Sequence, residues 1–144
     1  DEVVFRDRIE RILRLADIVK VSDEDLNWLF QGPATLEQKI FKLQKLGPAV
    51  VILTRGSLGA QAWTPVGNSV FVDSQKVDVV DTVGAGDSFN AGLLGSLSAA
   101  GLLNKAAIRS ILESDIVTAL NLGAQVAAIT VSRAGANPPW KHEL

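Results

Sequence analysis

The chain has 144 residues, 47% of them apolar and 21% charged, with a formal net charge of −2, one histidine and no cysteine. That length suffices for one domain or most of one, burying about two-thirds of the unfolded surface. Disulfide and thiol chemistry are excluded, the single His142 argues against a zinc site, and no basic cluster interleaved with aromatics supplies the electrostatic footprint of a nucleic-acid binder.

Along the chain, Ile9, Ile12, Leu13 and Ala16 keep helical spacing between arginines and acids, which predicts an amphipathic helix over about residues 3 to 16. Asp17 to Val21 reads as a short strand, and Ser22, followed by three acids, as the N-cap of a helix through Leu26, Leu29 and Phe30. Gly32-Pro33 breaks the chain. Thr35 then caps a helix striped by Leu36, Ile40, Leu43 and Leu46 and ended by Gly47-Pro48. Ala49 to Thr54 is a wholly apolar strand of the kind covered by helices on both faces, so the alternation of helix and strand predicts an α/β sheet. Thr54-Arg55-Gly56-Ser57-Leu58-Gly59 reads by itself as a tight turn, although the carboxyl end of such a strand is where open α/β sheets bind ligands. Gly59 to Trp63 and Ser69 to Asp73 predict a hairpin, and Val77 to Val80 a further strand. A long helix is expected from about Ser114 to Ser132 with Leu122, Val126 and Ile129 on its apolar face, stopped by Gly135 and Pro138-Pro139.

No apolar run of membrane-spanning length and no signal peptide is evident, so the expectation is a cytoplasmic protein without membrane or nucleic-acid partners. The chain lacks Met and opens at Asp1 in what reads as mid-protein sequence, which leads to the expectation of a fragment.

The stretch from Val79 to Leu94 organises the rest. Gly84-Ala85-Gly86 sits where an apolar segment becomes a helix marked by Phe89, Leu93, Leu94 and Leu97, and the helix is expected to begin near Asp87. The first turn of a helix leaves N–H groups without partners and carries roughly half a positive charge, so small residues there make an anion hole. No Gly-Lys-Ser/Thr follows, and Phe89 stands where a dinucleotide fingerprint needs its third glycine, so both familiar phosphate loops are excluded. A carboxylate would repel a merely cradled phosphate. Asp87 therefore has two readings: an acid complementing the helix dipole, worth about 0.3–1 kcal/mol, or a base that accepts a hydroxyl proton beside a phosphoryl group.

Asp81-Thr82-Val83-Gly84-Ala85-Gly86-Asp87-Ser88-Phe89-Asn90-Ala91-Gly92 closely resembles the second signature of the ribokinase-like (PfkB) carbohydrate kinases. The resemblance implies a three-layer α/β/α ribokinase-like fold with a mostly parallel sheet and a β-hairpin. Residues 1–144 would form its C-terminal nucleotide-binding and catalytic part, without the N-terminal sugar-binding and lid part. It implies that Asp87 is the base acting on the sugar hydroxyl, with Gly84, Ala85 and Gly86 as its anion hole. Thr54, Arg55, Gly56, Ser57 and Gly59 resemble the family's nucleotide-lining Thr-Leu-Gly-x-x-Gly, with Arg55 replacing Leu and free to contact phosphate. Ser22 and Asp25 stand at the Asn and Glu places of an Asn-x-x-Glu motif, which would put Ser22 near ATP and Asp25 in the magnesium environment. Ser132-Arg133-Ala134-Gly135-Ala136 resembles the ending of the family's late helix. Aligning on it puts Ala124 where many relatives carry an adenine-side Asn, which leaves Asn121, one turn earlier, to compensate. The resemblance also implies a monovalent-cation site, K+ in several relatives, at Asp81, Val83, Thr130, Arg133 and Gly135.

Within that family the wording of Ala16 to Leu26 and of Ser132 to Trp140 is most similar to bacterial fructokinases, implying ATP-dependent phosphorylation of fructose at its primary hydroxyl with Mg2+. Alternatives are a ribose, nucleoside or ketodeoxygluconate kinase, or a non-catalytic nucleotide-binding or assembly module. The implied partners are a small sugar and ATP. An uncovered sheet edge would favour a homodimer or association with the missing N-terminal half, and the isolated chain is expected to be weakly active or inactive.

Overall fold

A computed structural model describes residues 2–144. In chain order the elements are α1 (Glu2–Leu13), β1 (Ile18–Ser22), α2 (Asp23–Leu29), α3 (Leu36–Leu46), β2 (Val50–Thr54), β3 (Ala60–Trp63), β4 (Ser69–Val72), α4 (Ala85–Ala99), α5 (Lys105–Arg109) and α6 (Glu113–Val131). Single 3-10 turns lie at Gly56–Leu58 and Lys141–Glu143.

The strand with no polar residue before its end, β2, is the centre of the sheet order β1-β2-β3-β4 together with β3. Its Val50, Val51, Ile52 and Leu53 are all fully buried. Because side chains alternate across a strand, Val50 and Ile52 join Ala60, Ala62 and Val72 in a core with α4 and α6, while Val51 and Leu53 join Val19, Val21 and Trp63 in a second core with Leu13, Leu26, Ile40 and Leu43. This gives three layers, helices on each face of the sheet. Each buried Val, Leu or Ile among them contributes about 1.5–3 kcal/mol of transfer free energy.

β1 pairs parallel to β2, Ile18 against Val50 through Ser22 against Thr54. β2 with β3 and β3 with β4 are antiparallel, the latter forming the expected hairpin. The sheet is thus mixed rather than mostly parallel among the described residues. The expected strand at Val77–Val80 does not form. Among the described residues it pairs with no strand, and the N–H groups of Val80 and Asp81 instead donate to the Val131 carbonyl at 2.8 and 3.1 Å. Val79 and Val80 stay exposed.

Helix starts follow the caps in the sequence. Ser22 Oγ accepts from the Asp25 N–H at 3.0 Å while Asp25 Oδ2 accepts from the Ser22 N–H at 3.1 Å, a reciprocal pair that satisfies two donors at the start of α2. Thr35 and Gln38 repeat the arrangement on α3. α1 is shorter than expected, ending at Leu13, and its Ile12 faces solvent. α4 starts two residues before Asp87, and Leu94 lies outside the buried face.

The packed face of α6 is also rotated from the expected one. Ile116, Ala119, Leu120, Gly123 and Val126 are buried, whereas Leu122 and Ile129 are only half-buried. The reason is Gly123, against which α4 approaches so closely that a Cβ there would lie 2.9 Å from the Phe89 carbonyl oxygen. Contrary to the sequence expectation, α6 is long and apolar enough by length and composition to cross a bilayer. Here its apolar face packs against α4 and the sheet.

Candidate active site

The carboxyl end of β2 and the start of α4 border one cavity of about 960 Å³. Thr54, Gly56, Ser57 and Gly59 supply the wall after β2. Ala85, Gly86 and Phe89 supply that of α4, and Ala124, Ala127, Ala128 and Val131 that of α6. The run from Asp73 to Val77 closes the remaining side. Two glycines are required by this shape. Gly59, at φ 103°, would carry a Cβ 2.2 Å from the Val72 carbonyl oxygen, and Gly84, at φ 78°, one 2.9 Å from the Ala136 Cβ.

Left-handed Gly84 is the N-cap of α4. Its carbonyl accepts from the Ser88 N–H at 2.9 Å, and the Ala85 N–H turns back to the Thr82 carbonyl at 3.3 Å. The N–H groups of Gly86 and Asp87 have no partner among the described residues. Donor capacity for an anion therefore resides at Gly86 and Asp87 and at Gly84, whose N–H likewise has no partner among the described residues, with Ala85 committed elsewhere. The Asp87 carboxylate, third residue of the helix, is exposed and makes no hydrogen bond or ion pair among the described residues, so it does not reach back to close a capping box.

A residue that the motif reading missed stands over this turn. Lys20 Nζ lies 3.3 Å from where a Cβ on Gly86 would be, and it has no hydrogen-bond or ion partner among the described residues. The signal was present in β1. In Ile18-Val19-Lys20-Val21, Lys20 shares a face with Ile18, which packs against the α4–α6 core.

The loop before α4 is fixed by Asp81. Its Oδ1 accepts from the Val83 N–H and its Oδ2 from the Gly135 N–H, each at 3.0 Å, tying the glycine turn to the end of α6. The Val83 N–H first, and the Gly135 N–H next, lower the carboxyl below its usual pKa. Of the five residues expected around a monovalent cation, Asp81, Val83 and Gly135 are thus joined by hydrogen bonds. The Thr130 carbonyl accepts from the Ser132 and Arg133 N–H groups and that of Gly135 from the Asn137 N–H, which leaves the Gly135 oxygen a second lone pair. One carboxylate among carbonyl oxygens is a donor set that suits a hard cation of low charge.

The other expected nucleotide contacts divide. Thr54, Gly56, Ser57, Gly59 and Gly86 line the cavity. Arg55 does not: its Nη2 donates to Gln61 Oε1 at 3.1 Å, and its buried Nε has no partner. Asn121 is exposed and outside the lining, where Ala124 takes the wall position. Ser22 and Asp25 are engaged with each other in the cap of α2 and line no part of the cavity. Among the described residues no three His, Cys, Asp or Glu side chains gather as a metal cage.

Comparison with known proteins places the chain in a family. A family model described as "pfkB family carbohydrate kinase" matches residues 1–143. The fructokinase of Rhizobium leguminosarum bv. trifolii is 43% identical over 105 residues, covering 72% of this chain and 31% of that protein. The structure of the Xylella fastidiosa fructokinase with bound ATP superposes with a TM-score of 0.81 at 29% identity, covering 91% of this chain and 41% of that one. A double mutant of the Vibrio cholerae O395 fructokinase, in its fructose, ADP and potassium ion bound form, gives a TM-score of 0.76 at 28% identity, with 91% and 39% covered. The chain thus spans about a third to two-fifths of the length of these relatives. By the match over residues 1–143, it belongs to the pfkB family of carbohydrate kinases.

Proposed function

We propose that this chain is the C-terminal, nucleotide-binding and catalytic part of an ATP-dependent sugar kinase that phosphorylates a primary hydroxyl, with fructose as the substrate. One observation carries the reading. The unpaired Asp87 carboxylate and the unpartnered amides of Gly86 and Asp87 share the first turn of α4, beside a cavity of about 960 Å³, a volume suited to a nucleotide. The fructokinase relatives support the choice of sugar.

In this reading ATP occupies the cavity with its base against the alanine wall of α6 and its phosphates toward Gly86. Asp87 accepts the proton of the sugar hydroxyl as that oxygen bonds to the γ-phosphorus and the bond to the ADP oxygen breaks. The Gly86 and Asp87 amides and the Lys20 ammonium face the negative charge on the transferring group. A magnesium ion brought in on the nucleotide would supply charge neutralisation at its phosphates. Asp25, held in its cap, would act on that ion only through water. A potassium ion would be held by Asp81 with the carbonyls of Val83, Thr130, Arg133 and Gly135.

The test uses the full-length polypeptide that carries these residues. Asp87→Ala lowers turnover on fructose by about two to four orders of magnitude while ADP affinity changes little. Turnover within a few fold of the parent protein would sink the assignment of Asp87. A panel of fructose, ribose, ribosides and ketodeoxygluconate decides the substrate, since the residues expected to choose it lie outside this chain.

A further inference from the structure

The last residues of the chain fold back onto the end of α6. Glu143 accepts from both terminal nitrogens of Arg133, Nη1 at 3.4 Å and Nη2 at a shorter distance, and from the Trp140 N–H at 2.7 Å. Both side chains of this ion pair are only 28% exposed. Gln125 adds a hydrogen bond from α6 to the Leu144 carbonyl at 3.4 Å. Arg133 begins the turn whose Gly135 N–H holds Asp81, and Asp81 in turn holds the Val83 N–H next to Gly84. Across the same turn, Ala136 packs against Gly84. The turn at 133–136 is therefore fixed from two sides, by the Asp81 carboxylate on the site side and by the Glu143 carboxylate on the tail side.

We infer that Glu143 is a positioning residue: through Arg133 it sets the 133–136 turn, and through Gly135 and Asp81 it sets the backbone of the glycine turn that presents the Gly86 and Asp87 amides. This rests on the reading of residues 84–87 as the anion hole. The arrangement goes beyond packing of a chain end. A tail that only covered α6 would be held by apolar contacts, whereas here a carboxylate is aimed at the one guanidinium on the turn, with Trp140 and Leu144 themselves largely exposed. The Arg133 guanidinium also holds Glu143 below its usual pKa, so the charged pair persists at neutral pH.

The test compares amide hydrogen exchange in the protein and its Glu143→Gln variant, which keeps one oxygen for the Trp140 N–H and replaces the charge and the other acceptor oxygen with an amide NH2. Exchange at Val83 and Gly135 is expected to rise about three- to tenfold with Ile52 of β2 unchanged, and affinity for ADP with magnesium to fall by a similar factor. The double reversal Arg133→Glu with Glu143→Arg remakes the ion pair without the Trp140 contact and recovers part of both. Unchanged exchange at Val83 and Gly135 overturns the inference, as does an equal rise at Ile52, because the effect is then global. Faster exchange confined to the turn with unaltered ADP affinity supports the clamp and refutes the anion-hole reading on which its catalytic meaning rests.

Discussion

The close approach between the two helices that frame the site makes Gly92 a sensitive probe of the architecture. An alanine Cβ at position 92 would lie 2.7 Å from the Leu122 carbonyl oxygen, 2.9 Å from the Gly123 Cα and 3.0 Å from the Gly123 nitrogen, all backbone atoms of α6. Backbone cannot swing aside as a flexible side chain does, so α4 and α6 must separate by several tenths of an ångström. Helix propensity favours the substitution by about 1 kcal/mol. Overpacking against rigid atoms opposes it at the upper end of its usual range, about 3 kcal/mol. Gly92→Ala should therefore destabilise by about 2 kcal/mol. Gly95, one turn along the same helix, has nothing within 4 Å of its Cβ position. Gly95→Ala should then stabilise by up to about 1 kcal/mol from propensity and reduced freedom of the unfolded chain. The assay is urea unfolding followed by far-ultraviolet circular dichroism, comparing midpoints at equal m. A neutral or stabilising Gly92→Ala would refute the close helix contact, and with it the placement of the α6 alanines opposite Gly86.

Two further outcomes follow from the same geometry. Since Asp81 has a folded-state pKa below its unfolded value, its contribution to stability is fully present above about pH 4 and is lost as pH falls through the lowered folded value. Asp81→Asn should flatten that acid limb in unfolding curves taken from pH 5 to pH 2, and an unaltered limb would show that the Val83 and Gly135 contacts do not form. Lys20→Met keeps the apolar stem in β1 but removes the charge over Gly86. It should lower affinity for ATP about tenfold or more with little change in unfolding midpoint, and unchanged affinity in a correctly folded variant would take Lys20 out of the site.

Much of the site was legible because its chemistry is local. Gly84, the first turn of α4 and Asp87 are contiguous, so the glycine turn and the carboxylate of the proposed site could be read from one stretch, as could the caps at Ser22 and Thr35 and the doubly covered strand Val50–Thr54. Those features rest on φ preferences, on side-chain to backbone bonds three residues apart and on runs of apolar residues, all encoded at short range. Other outcomes required the third dimension. Val77–Val80 has a strand's composition but no neighbour to complete a ladder, and only the position of Val131 decided where its N–H groups go. Arg55 follows the turn motif, yet Gln61 on the adjacent strand draws its guanidinium away from the cavity. Lys20 is far from the glycine turn in sequence and reaches it only because β1 lies parallel beside β2. The sequence alone thus determined where a helix opens on small residues with a carboxylate in its first turn. Which distant side chains meet that turn, and which face of α6 walls the cavity, was decided by packing, since contacts between residues remote in the chain depend on how closely helices and strands approach.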